Sequence, residues 1–373
     1  MRFCFRIILI GGFFFGSFSV HGQAPIVTTT NVTIRVMASN LSSGNNQRYE
    51  TPGLNILKAL KPDVVAMQEF NYSSTSNGVN TTAALREMVD KTFGTNFFYF
   101  RESGSGITIP NGVVSRFPIL TNGVWDDVEL PDREFVWAKL DLPGTNDLYV
   151  VSVHLKASSD STSKNRRANQ ANNLKALIQG NFSTNAFIIV AGDCNTYASD
   201  EACLNTFRIF LSDDFAPADQ FGKTNTNAGR TERYDYVFPN FPLSSNRVTT
   251  VIGSQTFSNG LVFDSRVYTP LSEVSPVVST DSGVASMQHM GVIKDFRIDC
   301  AVTNFITIPA PVLVLNPLDV IRWVGLSNVN YSVQASTNLP EFSTIGTAVS
   351  TSTNLSFTNQ TGGEQLFFRV VYP

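Results

Sequence analysis

The sequence predicts a layered α/β or α+β domain followed by a small all-β module. Two observations support this prediction. Strand-like apolar runs alternate with amphipathic helical patterns early in the chain and then give way to longer β stretches, the pattern of packed sheets and helices. Near Phe305 the chain changes to short β runs separated by turn residues. Its 373 residues allow two or three domains of roughly 100–200 residues each.

The predicted elements of the first domain follow from residue periodicity. Apolar and β-branched residues predict strands at 32–38, 63–70, 148–155, 187–191, 233–238 and 290–298. Apolar residues at helical spacing predict helices at 53–60, 81–93 and 165–179. Ser199 is a candidate cap for a helix through Leu211, since Asp200 and Glu201 are favourable in a first turn. The aromatic run at 97–100 favours a buried strand over a membrane-docking hairpin.

The N-terminus predicts export from the cell. Arg2 and Arg6 precede an apolar run at 7–18, and small residues follow it, as in a secretory signal peptide cleaved after Gly22. An uncleaved anchor is the alternative, but the run is shorter than the ~20 residues that a membrane span needs. We therefore expect a signal peptide at 1–22 and a secreted, extracellular protein that keeps no transmembrane segment after cleavage.

Charge and cysteine content set limits on function. The formal net charge is −3, and loss of Arg2 and Arg6 would make it −5, so the chain has no general attraction to phosphate polymers. Binding of nucleic acid would need a local basic groove or metal ions. Cleavage would leave Cys194, Cys203 and Cys300, an odd number that excludes a full disulfide framework. One bridge, such as Cys194–Cys203, and three buried thiols both remain open.

The C-terminal segment 305–373 carries no cluster of residues suited to chemistry. It contains no His or Cys, and Pro309 and Pro311 mark a linker before β runs at 312–315, 330–335 and 365–371. We expect a small β-sandwich-like module for surface attachment or spacing, placed after a catalytic domain at 23–304.

Polar residues at the ends of predicted strands form a candidate active site. The His-Glu-x-x-His, Gly-x-Ser-x-Gly and paired-cysteine zinc patterns are absent from the sequence. Any one polar residue at a strand end would ordinarily be structural, but a set of them lies on the rim where sites are usually built. The set comprises Asn40, Glu69, His154, Asp193, Asn195, Asp235 and His289.

These residue types suit metal-assisted hydrolysis of a phosphoester. A hard cation such as Mg²⁺ takes oxygen ligands, for which Asn40 and Glu69 are suitable. The attacking water needs a base or an orienting group, for which Asp193 and His289 are candidates. Developing charge on the phosphoryl oxygens needs hydrogen-bond donors, which imidazole and amide groups supply.

Several segments of the chain follow the order of a known family. They are Asn40, Pro-Asp-Val-Val-Ala-Met-Gln-Glu at 62–69, Asn-Gly-Val-Val-Ser-Arg-Phe-Pro-Ile at 111–119, His-Leu-Lys at 154–156, Gly-Asp-Cys-Asn at 192–195, Tyr-Asp-Tyr-Val at 234–237 and the His289 segment. Together they resemble the endonuclease/exonuclease/phosphatase superfamily, which includes deoxyribonuclease I, exonuclease III, neutral sphingomyelinases and inositol-phosphate phosphatases. Each segment alone is a weak signal, and the ordered set is specific.

The resemblance implies a four-layer α/β sandwich, in which helices flank two central β-sheets and the site lies at one edge. It implies Mg²⁺, or Mn²⁺ or Ca²⁺, held by Asn40 and Glu69. Asn111, Lys156 and Arg167 resemble substrate-binding residues. The implied catalytic roles are activation or orientation of the nucleophile by Asp193, phosphate contact by Asn195, phosphate stabilisation by His154, an acid beside His154 in Asp235, and general acid/base catalysis by His289.

The segment before the last strand departs from the family pattern. The family usually has Ser-Asp-His there, and its Asp orients the histidine and raises its basicity. Here the segment is Ser286-Met287-Gln288-His289. Gln288 can accept a hydrogen bond but carries no charge, so we expect a lowered pKa of His289 with hydrolysis retained.

The sequence favours a monomeric, extracellular phosphodiesterase that acts on nucleic acid. One alternative keeps the mechanism and changes the substrate to a phospholipid or a sugar phosphate, as in sphingomyelinases or inositol-phosphate phosphatases. A second alternative is a non-catalytic adhesion or carbohydrate-binding protein. The complete polar set argues against the second alternative, because binding alone would not require all of its members.

Overall fold

The computed structural model describes residues 22–44, 46–72, 80–143, 147–308, 314–316, 320–325, 327–337, 341–358 and 367–371. The expected signal peptide at 1–22 lies outside these residues, apart from Gly22. None of the helices in this part of the chain is long and apolar enough to cross a membrane. The chain divides into two compact units: residues 29–301 form one, and the other includes the chain from Val302 onward.

Two large β-sheets and several helices build the unit at 29–301. Its strands are β1 (Gly22–Ser39), β2 (Val64–Met67), β3 (Phe98–Arg101), β4 (Gly112–Ser115), β5 (Ile119–Trp125), β6 (Phe135–Leu140), β7 (Leu148–His154), β8 (Phe187–Asp193), β9 (Asp235–Pro239), β10 (Arg247–Val248), β11 (Thr250–Ile252), β12 (Gln255–Phe257), β13 (Leu261–Phe263) and β14 (Gly291–Ile308). Its helices are α1 (Thr51–Leu60), α2 (Thr82–Thr92), α3 (Ser161–Asn181), α4 (Ala202–Phe207) and α5 (Phe241–Ser244), with 3₁₀ turns at Leu271–Val274 and Asp281–Gly283.

The strand order determines which strand ends meet. The first sheet has the order β10-β14-β1-β2-β4-β3, with β13 also paired to β14, and the second has the order β5-β6-β7-β8-β9. β1 runs parallel to β2, and β7 runs parallel to β8, so each pair ends at a common edge. β9 is antiparallel to β8 and therefore begins at the edge where β8 ends. β11 and β12 form a separate hairpin.

Apolar clusters define the layers as helix, sheet, sheet, helix. Val64 of β2 and Val150 of β7 belong to one buried cluster between the sheets. Ile56 of α1 and Leu85 of α2 belong to a second cluster on the outer face of the first sheet. Leu174 of α3 belongs to a third cluster on the outer face of the second sheet. Burial of each such side chain contributes about 2 kcal/mol. The predicted four-layer sandwich is confirmed.

Side-chain caps fix the starts of two helices. The Thr81 side chain accepts a hydrogen bond from the Ala84 backbone N–H at 3.1 Å at the start of α2. Asp160 accepts one from the Ser163 backbone N–H at 2.9 Å at the start of α3. The helix α3 begins at Ser161, earlier than the predicted start at 165. Its first turn is polar, so apolar periodicity does not indicate that turn.

Two predicted elements differ from the structure. α4 is shorter than the predicted helix from Ser199, because no side chain caps it and the Glu201 carboxylate pairs with Arg167 instead. The aromatic run at 97–100 forms β3 but is not buried: Phe98 is 44% exposed, because β3 is the last strand of its sheet.

The second unit is a small β structure with its own core. Its strands form two sheets, β15-β16-β19 and β18-β17-β20. Side chains from both sheets share one apolar cluster, including Trp323 and Val333. The strands are β15 (Val314–Asn316), β16 (Val320–Val324), β17 (Tyr331–Ser336), β18 (Ser343–Ala348), β19 (Asn354–Thr358) and β20 (Phe367–Val371).

A buried lysine makes the stability of the larger unit depend on pH. Lys294 of β14 is 2% exposed, and burial, together with the nearby Arg233 cation, lowers its pKa to about 7. Below pH 7 the folded and unfolded chains both carry this charge, so the cost of burying it is complete. The cost disappears as pH rises through 7 towards 10.5, where the unfolded chain also becomes neutral.

Lys294→Met is therefore expected to stabilise the protein by about 2–4 kcal/mol at pH 6.5 and by much less at pH 10. Urea unfolding at both pH values measures this difference. Lys223→Met, at an exposed position, serves as the control. A stabilisation that is the same at both pH values would contradict the burial argument.

Candidate active site

Backbone register brings three titratable side chains into adjacent positions. His154 of β7 lies opposite Asp193 of β8, and Asp193 lies opposite Asp235 of β9. Three further residues lie next to strands of the first sheet, at the same edge. Two of them follow β1 and β2, and the third precedes β14. Those residues are Asn40, Glu69 and His289.

Asp193 is the centre of this cluster, and its side chain is 1% exposed. Asp193 Oδ2 lies 3.0 Å from Asn195 Nδ2, 3.2 Å from His154 Nε2, 3.3 Å from Asn40 Nδ2 and 3.5 Å from His289 Nε2. Burial acts to raise the pKa of Asp193, but the attraction of His289 and His154 outweighs it and lowers the pKa to about 2. Asp193 is therefore a carboxylate at neutral pH.

His289 and Asp235 form a buried pair beside Asp193. His289 Nδ1 lies 3.0 Å from Asp235 Oδ2, and the Thr226 hydroxyl donates to the same oxygen at 2.7 Å. Burial acts to lower the pKa of His289, but the charges of Asp235 and Asp193 outweigh it and raise the pKa. His289 is therefore held in its protonated form, with Nε2 towards Asp193.

This pairing corrects two sequence-based expectations. The lowered pKa expected for His289 is wrong, because Asp235 supplies the negative charge that Gln288 lacks. Gln288 is exposed, and its backbone carbonyl accepts a hydrogen bond from the Ala228 N–H. Asp235 is also not the acid beside His154, because the strand of Asp193 lies between theirs.

His154 differs from His289 in its charge state. Burial and the positive charge of Arg133 lower the pKa of His154, so its ring is neutral and can donate from Nε2 to Asp193. Arg133 is itself buried, and it donates to the carbonyl oxygens of His154 and Leu155 at 2.8 and 3.2 Å. No pattern in the sequence indicates Arg133, because it precedes β6 in a loop with no recognisable motif.

Gly192 allows the two sheets to approach each other at this edge. Its φ is +141°, and a Cβ there would collide with the Val153 carbonyl oxygen and the Gln68 side-chain amide. Gln68 Nε2 donates to Ser152 Oγ at 2.9 Å, so an amide of the first sheet binds the second sheet close to Asp193. Any residue with a side chain at position 192 would push the Gln68 amide away and so separate the parts of the site that the two sheets carry.

Asn40 and Glu69 have the chemistry required to hold a hard cation. Asn40 is buried, and its Oδ1 accepts no hydrogen bond from the described residues. Glu69 is 4% exposed and has a φ of +50°, a strained value often found at functional sites. Gln47 donates to Glu69 Oε1 at 3.1 Å and Ser42 donates to Oε2, so the carboxylate is held in place.

A second arrangement of possible metal ligands consists of Asp193, Asp235 and His289, whose ligand atoms lie within 4.8 Å of one another. These groups already pair with each other, and a cation there would displace the proton on the His289 ring. The unpartnered oxygen of Asn40 and the carboxylate of Glu69 therefore fit a metal ion better.

Two of the three expected substrate-binding residues, Lys156 and Asn111, donate hydrogen bonds to backbone carbonyls. Lys156 is half-buried, and its ammonium donates to the Ala157 carbonyl at 3.1 Å. Asn111 is buried; its Nδ2 donates to the Glu134 carbonyl at 2.6 Å, while its Oδ1 has no partner among the described residues.

Arg167 requires a correction. It is fully buried, and it donates to both oxygens of Glu201 at 2.8 and 3.0 Å. The same guanidinium donates to the carbonyls of Lys156 and Ser158 at 2.7 and 2.8 Å. These bonds leave no face of Arg167 open to a substrate, so the arginine supports the loop after β7.

The described cysteines play no part in the site. Cys194 and Cys203 are free thiols in the core between the second sheet and its helices. Burial raises the pKa of both, so neither is a thiolate at neutral pH. The side chain of Cys300 lies outside the described residues.

A buried aspartate with two imidazoles and two amides, at the edge of a two-sheet sandwich, defines a site for hydrolysis of phosphoesters. The chain belongs to the endonuclease/exonuclease/phosphatase family, whose family model matches residues 54–258. Members of this family hydrolyse phosphoester bonds and depend on a divalent metal ion.

Comparisons with individual proteins give distant likenesses. No curated protein matches the chain. An endonuclease/exonuclease/phosphatase from Beutenbergia cavernae is 16% identical, with 91% of this chain and 100% of that chain covered and a TM-score of 0.48. An AP endonuclease from Archaeoglobus fulgidus is 14% identical, with coverages of 70% and 99% and a TM-score of 0.46. A humanized D. rerio TDP2 is 16% identical, with coverages of 71% and 98% and a TM-score of 0.45.

Proposed function

We propose that the protein is a secreted, divalent-metal-dependent phosphodiesterase that cleaves nucleic acid. The observation that carries this proposal is the position of Asp193. Its ionised carboxylate lies between a neutral imidazole, a protonated imidazole and two amides. Hydrolysis of a phosphodiester needs a group that orients and deprotonates water, together with donors for the phosphoryl oxygens. The cluster supplies both.

Each residue has a role that follows from its charge state. Asp193 accepts a hydrogen bond from the attacking water and takes its proton. His154 Nε2 and Asn195 Nδ2 donate to the non-bridging phosphoryl oxygens in place of their bonds to Asp193. As the bond between phosphorus and the leaving oxygen breaks, His289 gives its Nε2 proton to that oxygen, and Asp235 fixes the ring through Nδ1. A divalent cation held by Asn40 and Glu69 would neutralise charge on the phosphoryl group.

Nucleic acid is favoured over a phospholipid by the place of the aromatic run at 97–100. A membrane-docking hairpin would need several exposed aromatic side chains, whereas only Phe98 of this run is exposed, and the other three aromatic side chains pack against the buried clusters. Export is supported by the sequence pattern at 1–22. The acidic net charge makes a metal ion the main source of positive charge for a polyanionic substrate.

The test uses the purified chain with plasmid DNA, RNA, sphingomyelin and a sugar phosphate, each assayed with Mg²⁺ and with EDTA. Asp193→Ala excludes a contaminating nuclease. Mg²⁺-dependent cleavage of DNA or RNA that is lost in the variant supports the proposal. Turnover of sphingomyelin or the sugar phosphate without cleavage of nucleic acid would replace it with the alternative substrate class. Analysis of the culture medium of the native source tests export.

Glu69→Gln is expected to raise the Mg²⁺ concentration needed for half-maximal activity at least about 10-fold, because the amide removes the anionic ligand. Activity titrations and calorimetry with Mg²⁺ measure the effect. Glu129→Gln is the matched control, since the Glu129 carboxylate pairs with Arg166 and Asn169 of α3 and not with the residues proposed to hold the metal. An unchanged Mg²⁺ requirement in Glu69→Gln would place the metal elsewhere.

A further inference from the structure

Two tyrosines beside the active site have no role in the chemistry described above. The Tyr234 ring lies 5.7 Å from the His289 ring between centroids. The Tyr197 ring lies 5.2 Å from the Tyr234 ring, in an edge-to-face arrangement. Both residues are half-buried, so neither is sealed in the core.

Tyr197 is fixed from its inner side. The Arg167 guanidinium carbon lies 5.6 Å from the centroid of the Tyr197 ring. Glu201 Oε1 accepts hydrogen bonds from the Tyr197 backbone N–H at 2.8 Å and from Arg167 at 3.0 Å. The buried arginine thus holds the ring of Tyr197 in one orientation, and a ring held in place loses little entropy on binding a ligand.

The backbone of Tyr234 is fixed by Cys194, which directly follows β8, and by Thr226, which precedes β9. Its backbone N–H donates to the Thr226 hydroxyl at 2.9 Å, and its carbonyl accepts from the Cys194 N–H at 2.7 Å. Thr226 also donates to Asp235, the partner of His289. These bonds fix the backbone from which the Tyr234 ring reaches His289.

We propose that Tyr197 and Tyr234 form a stacking subsite for the nucleobase next to the scissile phosphate, an inference that rests on the proposed function. In a nucleotide a single sugar joins the base to the phosphate, so a phosphate at Asp193 brings a base to the rings beside His289. Bases stack on aromatic side chains with little dependence on sequence. The subsite therefore selects nucleotide esters without selecting a sequence.

A quaternary ammonium group, as in a choline lipid, is the competing occupant of an aromatic pair. The Arg167 guanidinium, which is paired with Glu201, already lies against one face of the Tyr197 ring, so that ring offers an ammonium group only its other face. A planar base needs only one face on which to stack. The arrangement of Arg167 and Tyr197 therefore favours a base over an ammonium group.

The test compares ligands that share a phosphate and differ in the attached group. Thymidine 5′-phosphate, deoxyribose 5-phosphate and phosphocholine are titrated by calorimetry into the full chain, with and without Mg²⁺. The wild type is expected to bind thymidine 5′-phosphate about 10-fold or more tightly than deoxyribose 5-phosphate. Tyr197→Leu and Tyr234→Leu are expected to remove most of this preference, whereas Tyr197→Phe and Tyr234→Phe keep it.

Three results would overturn the stacking subsite. They are equal binding of the two sugar phosphates by the wild type, a preference that survives in both Leu variants, and preferred binding of phosphocholine that is lost in those variants. Thermal unfolding of each Leu variant separates loss of binding from loss of fold, and the Phe variants keep the test valid if the Leu variants do not fold.

The cleavage assay distinguishes this inference from the proposed function. A base preference without cleavage of DNA or RNA supports the subsite and contradicts the nuclease assignment. Cleavage of DNA or RNA without a base preference supports the nuclease assignment and contradicts the subsite.

Discussion

Asp193→Asn is expected to reduce phosphodiester hydrolysis by about 10⁴-fold, because the amide keeps the size of the side chain and removes its charge and basicity. Asp193 is the only carboxylate among the described residues that lies within 3.5 Å of both His154 and His289. Its loss leaves the attacking water without a proton acceptor. Steady-state kinetics with a plasmid or dinucleotide substrate measure the decrease in kcat.

Asp264→Asn is the control for the effects of altering a buried carboxylate. Asp264 is as buried as Asp193, but it pairs with Arg230 and Arg266 instead of with histidines. This variant is expected to lower the melting temperature and leave kcat within about threefold of wild type below that temperature. If Asp193→Asn retained a tenth or more of the wild-type kcat, Asp193 would not be the proton acceptor.

Asp235→Asn is expected to lower kcat by about 10²–10⁴-fold. The carboxylate attracts the positive charge of His289 and fixes the ring through Nδ1, and an amide can do only the second. The protonated form of His289 is then less stable, so its pKa falls. Nuclear magnetic resonance of the His289 ring, together with kcat, tests both effects.

Gln288→Ala provides the contrast with Asp235→Asn. Gln288 precedes His289 in the chain, but its side chain is exposed, and we expect kcat to stay within about threefold of wild type. A large loss in Gln288→Ala with little effect in Asp235→Asn would show that the glutamine, and not Asp235, orients His289. The two variants therefore decide which neighbour controls the imidazole.

The sequence predicts a layered α/β or α+β domain and most of the cluster because apolar runs show where strands end, whereas the four-layer arrangement follows from the resemblance to the family. Asp193, for example, follows an apolar run directly, and its strand is parallel to that of His154. Polar residues at such ends must share an edge once the strands pair. The bonds of Asp193 to His154 and to Asn40 are consistent with this reasoning.

Three other features of the site could not be predicted, because they depend on contacts between residues that are far apart in the sequence. The order β7-β8-β9 decides that Asp235 reaches His289 and not His154. The positive charge of Arg133 lowers the pKa of His154, although Arg133 lies in a loop with no periodicity. Arg167 follows the histidine motif in the chain like a substrate ligand, but the carboxylate of Glu201 holds it in the interior.

The contact between the two sheets at Gly192 has a consequence for partly folded forms of the chain. Asn40, Glu69 and His289 lie next to strands of one sheet, whereas His154, Asp193 and Asp235 lie in strands of the other. Each sheet positions only three of these six residues, so neither sheet alone carries the complete cluster. The proposed hydrolysis therefore depends on the docking of the two sheets.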